Sequence, residues 1–86
     1  MCTYSTEHVP ATGSGKGAHG WFRLSEVSVY FDHPAHALAD HTLNLDFINP
    51  AQGPSARVAV ELTAQTAREL ARAIESALET APPGLA

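Results

Sequence analysis

One cysteine, one tryptophan and five basic residues in 86 leave this chain with little of what disulfide-stapled, nucleic-acid-binding or membrane-spanning proteins need. A lone Cys2 rules out an internal disulfide and fits a reducing compartment, leaving one thiol for metal binding, reactivity or burial. A net charge of −4, with Arg57, Arg68 and Arg72 scattered through the C-terminal half, offers no positive footprint for phosphates, so no nucleic-acid partner is expected. No apolar run approaches the roughly 18 residues of a membrane span, and no basic-then-apolar leader pattern begins the sequence. These absences predict a soluble, cytoplasmic protein.

The 44% hydrophobic and 16% charged composition suits one compact domain over residues 1–86. A core of that size is small against the backbone entropy lost on folding, roughly 1–2 kcal/mol per ordered residue. Oligomerisation or a metal is a common supplement, and a homodimer or higher oligomer is expected.

Residues 2–9, rich in Thr, Tyr and Ser, read as a strand at a sheet edge or an interface. Residues 10–20 carry Gly13, Gly15, Gly17 and Gly20 and read as a flexible loop, either a lid, a ligand loop or an oligomer contact. Within it, Gly15 to Gly20 satisfies G-x-G-x-x-G. It precedes a strand instead of opening a helix, so the match carries no nucleotide site, although Lys16 and His19 could meet an anionic small molecule.

From residue 21 to 33 the chain alternates, with Val27, Val29, Phe31 and His33 on one face and Ser28, Tyr30 and Asp32 on the other. A second run, 41–49, sets Leu43, Leu45 and Phe47 against Asn44 and Asp46, and a third sets Ala56, Val58, Val60 and Leu62 on one face. Trp21 and Phe22 read as core more readily than as interface. Thr63 is the expected N-cap of a helix over residues 64–80, with Ala67, Leu70, Ala71, Ile74 and Leu78 on one stripe. Pro82, Pro83 and Gly84 end it, and residues 81–86 read as a flexible tail. The order is β-β-β-β-α, an α+β fold with an antiparallel four-stranded sheet and one C-terminal helix packed on one face. On the opposite, polar face, Tyr30, Ile48 and Ala59 are apolar enough to suggest a dimer surface.

The most chemistry-laden stretch is Asp32 to His41, with His33, His36 and His41 interleaved with Asp32 and Asp40. Matching apolar faces pairs Phe31 with Leu43, Val29 with Leu45 and Val27 with Phe47, which sets His33 opposite His41. Opposed residues have Cβ atoms roughly 4.5–5.5 Å apart, within reach of a shared ion. The expected ligand set is His33, His41 and His36, with Cys2 as a fourth. Zinc leads among the divalent transition metals, with copper, nickel or iron as alternatives. Asp32 or Asp40 would orient a ring or act as base on bound water, so an enzymatic role would be metal-dependent chemistry on a small molecule. Three other readings stay open: a satisfied cross-strand histidine pair, metal-free acid/base use of the same residues, and a metal-free oligomeric binding or interaction module presenting the glycine-rich loop.

The stretches Met1-Cys2-Thr3-Tyr4, Tyr30-Phe31-Asp32-His33-Pro34, His41-Thr42-Leu43-Asn44-Leu45-Asp46-Phe47 and Gly53-Pro54-Ser55-Ala56-Arg57-Val58-Ala59-Val60-Glu61-Leu62 resemble a family of small, uncharacterised bacterial domains. The resemblance covers nearly the whole chain. It implies a stand-alone domain of this length and brings no activity, ligand or catalytic residue with it.

Overall fold

The alternating segments fold as one antiparallel meander. A computed structural model describes residues 5–86, with strands β1 (Thr6–Gly17), β2 (Gly20–Asp32), β3 (Thr42–Ile48) and β4 (Arg57–Leu62), and a helix α1 (Ala64–Glu79). The sheet order is β1-β2-β3-β4. Cys2 lies outside the described residues.

The β2–β3 register follows the apolar pattern: Phe31 pairs with Leu43, Val29 with Leu45 and Val27 with Phe47. Continuing across β3, Leu43 pairs with Leu62, Leu45 with Val60 and Phe47 with Val58. A slip by one residue would have turned every one of these side chains to the other face. A short 3-10 turn, Pro50–Gln52, joins β3 to β4, capped by the Asn49 side chain, which accepts a hydrogen bond from the Ala51 N–H.

The first strand departs from the sequence reading. Residues 10–20 are not a flexible loop; they are the second half of β1, the two-residue turn at Ala18 and His19, and the start of β2. Gly17 pairs with Gly20 to close the hairpin, and the positive φ of Gly20 (109°) suits a tight hairpin turn. Ala11 and Thr12 together face Ser25, a β-bulge that bends β1. Past the bulge the hairpin curls towards β4, where a Cβ built on Gly15 would lie 3.3 Å from Leu24 and 3.6 Å from Val58. Gly15 and Gly17 are the positions where neighbours approach closely, whereas Gly20 serves the turn.

Thr63 caps α1 as expected, its Oγ1 accepting from the Thr66 N–H at 3.2 Å. The helix packs only lightly on β3 and β4: its half-buried positions, Ala64 and Ala67, fall in the first turn, and residues 68–79 are all exposed. Leu70, Ile74 and Leu78 are 41%, 52% and 56% exposed. Trp21, expected in the core, is 72% exposed. Ala56 is the one buried apolar residue among those described, the others being half-buried or exposed. No helix among the described residues is long and apolar enough to cross a membrane.

Candidate functional site

The end of the β2–β3 hairpin brings His33 and His41 together. The ladder closes at Asp32 and Thr42, and one step further out the two imidazole rings lie 4.4 Å apart between centroids, tilted by 32°. His41 also stacks on Phe31, at 5.6 Å and 12°, so the pair extends the apolar row of the sheet.

His33 is oriented by the main chain. Its Nδ1 lies 2.8 Å from the carbonyl oxygen of Asp40, and because a carbonyl only accepts, Nδ1 donates. In the neutral ring the lone pair is therefore on Nε2. A backbone carbonyl that fixes the tautomer in this way is the usual outer support of a metal-binding histidine. Asp40 acts through its carbonyl in this contact. The Asp32 carboxylate accepts the His33 backbone N–H at 2.7 Å, fixing the strand end.

His36 is placed elsewhere. The carboxylate of Glu61, on β4, accepts from three successive backbone N–H groups, those of Ala35, His36 (3.0 Å) and Ala37 (2.9 Å), and so draws the loop over the polar face. There His36 helps line a groove of about 510 Å³ with Arg57, Ala59 and Glu61. Among the described residues no group of three or more His, Cys, Asp or Glu side chains is arranged to hold a metal. The structure thus joins two of the predicted ligands and separates the third.

Beneath the loop the polar face is well satisfied. Thr42, fully buried, donates to Asn44 Oδ1 at 2.7 Å. Asp46 binds Arg57 through Oδ1 (2.8 Å) and accepts the Tyr30 hydroxyl on Oδ2 (3.0 Å). Burial, followed by the hydrogen bond to Asp46, raises the pKa of Tyr30.

Two features escape a sequence reading. Glu61 is one, since its partners lie 24 to 26 residues away in a loop. The other is a cluster on β1 and β2, where His8 Nδ1 lies 3.2 Å from Glu26 Oε2 and 3.1 Å from Ser28 Oγ. Ser28 sends its proton to Glu26 at 3.1 Å, so the trio lacks the serine-to-histidine proton path of a nucleophilic triad. Only the bulged β1 register, which pairs His8 with Ser28, would have revealed it.

The Ala35 N–H is the largest cause of a lowered Glu61 pKa, with those of Ala37 and His36 adding to it. A carboxyl depressed in the folded state contributes stability that is complete above its ordinary pKa and is lost as pH falls through the lowered one. Glu61→Gln is therefore expected to raise amide exchange at Ala35, His36 and Ala37 roughly ten-fold. That difference should shrink in acid, as the wild-type carboxyl itself becomes protonated. Equal exchange in both proteins at neutral pH would show that the clasp does not hold the loop.

The chain belongs to a family described only as a family of unknown function, DUF6295, whose model matches residues 1–86. Neither a curated protein nor a solved structure matches it.

Proposed function

We propose, for a member of a family that brings no assigned activity with it, that this domain binds a divalent transition metal through His33 and His41. The observation that carries the reading is the His33 Nδ1 hydrogen bond to the Asp40 carbonyl, which leaves the Nε2 lone pair open to a metal beside a second imidazole. Paired neutral imidazoles suit zinc, copper, nickel or iron. Two nitrogens on one tetrahedral ion stand about 3.3 Å apart, a spacing within reach of the two tilted rings by rotation about χ2, a torsion with a broad energy profile. Two protein donors leave positions for water, for a small-molecule substrate, or for Cys2 as a further ligand. Bound water activated in that way would support hydrolytic chemistry on a small molecule.

Elemental analysis of tag-free protein, wild type beside His33→Ala/His41→Ala and His36→Ala, tests the reading. About one metal per chain or per dimer is expected in wild type and in His36→Ala, and none in the double variant. Wild-type protein that is metal-free and also fails to take up added zinc, copper, nickel or iron would overturn it.

The groove beside Arg57 and His36 favours a second reading, a metal-free module that binds a small polar ligand on the sheet. Unchanged melting in chelator, together with a stable histidine-free variant, would point to that module.

A further inference from the structure

The chain exposes 6330 Å². A folded monomer of 9.1 kDa is expected to expose about 4,900 Å², by the scaling of surface with mass. The exposed residues beyond the helix account for part of the surplus of about 1,400 Å², and a standard interface removes about 800 Å² from each partner. Among the described residues, three of the seven exposed large hydrophobic side chains, Leu70, Ile74 and Leu78, lie together on one face of α1. An apolar groove of about 360 Å³ runs between α1 and the sheet, walled by Leu70 and Ile74 on one side and Val29, Leu43 and Leu45 on the other.

The charges beside that groove specify an occupant. Helical periodicity puts Arg68, Arg72, Glu75 and Glu79 on one flank of the apolar stripe, the two cations nearer the N-terminus and the two anions nearer the C-terminus. Arg68 with Arg72, and Glu75 with Glu79, are like-charge neighbours at i,i+4, while Arg72 also has Glu69 and Glu75 as opposite-charge neighbours at i,i+3. None of the four takes part in an ion pair among the described residues. Two copies of α1 packed antiparallel about a two-fold axis bring like flanks together in reverse order. Arg68 then meets Glu79 of the other copy, and Arg72 meets Glu75. A parallel pair leaves these charges unmatched.

We infer that a second copy of this chain docks on the groove, its α1 antiparallel to the first, with Leu70, Ile74 and Leu78 of each copy covering the apolar sheet face of the other. The resulting interface is isologous, as a two-fold dimer requires. The polar sheet face, which the sequence suggested for dimerisation, plays no part in it. The inference is independent of the metal reading.

Sedimentation equilibrium at micromolar protein, with reductant to exclude a Cys2 disulfide and chelator to exclude metal bridging, is the test. Wild type should have twice the monomer mass, and Ile74→Glu, at a position already half-exposed in the single chain, should be a folded monomer. If Ile74→Glu does not fold, the charge variants decide. Arg68→Glu/Arg72→Glu should weaken association about ten-fold or more, and adding Glu75→Arg/Glu79→Arg should restore it. A monomeric wild type, a dimer indifferent to Ile74→Glu, or a four-fold reversal that fails to restore association would each overturn the inference.

Discussion

Replacing Asn49 by alanine is expected to remove about 3 kcal/mol of stability, the sum of a lost cap and a buried carbonyl left without a donor. Asn49 is almost fully buried and uses both ends of its amide. Nδ2 donates to the Arg23 carbonyl at 2.9 Å, tying β2 to the β3–β4 connection, while Oδ1 accepts the Ala51 N–H at 3.2 Å. These partners fix the amide orientation, since a carbonyl cannot donate and an N–H cannot accept. Asn49→Asp separates the two contributions. It keeps an acceptor for Ala51 but sets a carboxylate against the Arg23 carbonyl, so it should rescue little of the loss. Urea unfolding of the three proteins measures both effects. Near-equal stability of Asn49→Ala and wild type would mean that water replaces the amide without cost.

Gly17→Val is the second large effect, expected at about 3 kcal/mol through overpacking. A Cβ at this position would lie 3.1 Å from the Phe22 ring, 3.2 Å from the Ser55 carbonyl oxygen and 3.4 Å from that of Arg57. The Phe22 ring can yield by rotating, but the two carbonyls belong to the backbone where the turn meets β4. In a domain of this size that loss lowers Tm by roughly 12–24 °C. Gly13→Ala is the control, because its Cβ would meet only Leu24, at 3.9 Å. Comparable melting of Gly17→Val and Gly13→Ala would show that the hairpin end is free to lift away from β4.

Gly17 also shows where sequence reasoning reached its limit. A period-2 pattern reports burial on one face, and it was enough to set the Val27, Val29 and Phe31 register against Phe47, Leu45 and Leu43 and to place His33 beside His41. Glycine carries no such pattern. Four glycines within eight residues read as chain flexibility, whereas Gly15 and Gly17 reflect backbone and side chains approaching from β2, β4 and the preceding turn. The histidine window divides in the same way. His33 and His41 follow from strand pairing, while His36 is positioned by main-chain donors reaching a carboxylate on another strand. The group that orients His33 is a main-chain carbonyl, which every residue possesses, so no residue type announces it. The apolar stripe of α1 was legible, but not its stand-off from the sheet, because periodicity identifies a face without saying what covers it.

The Glu61 clasp has a consequence for the order in which the molecule is made. Neighbouring strands of a meander can pair as they leave the ribosome, so the β2–β3 hairpin and its two facing imidazoles need only the first 48 residues. The loop between them waits for an anchor 24 to 26 residues downstream, and closing a contact that long costs chain entropy before it returns any stability. The histidine pair of the nascent chain thus flanks an untethered loop until β4 has left the ribosome, and the arrival of Glu61 gives that loop its final shape.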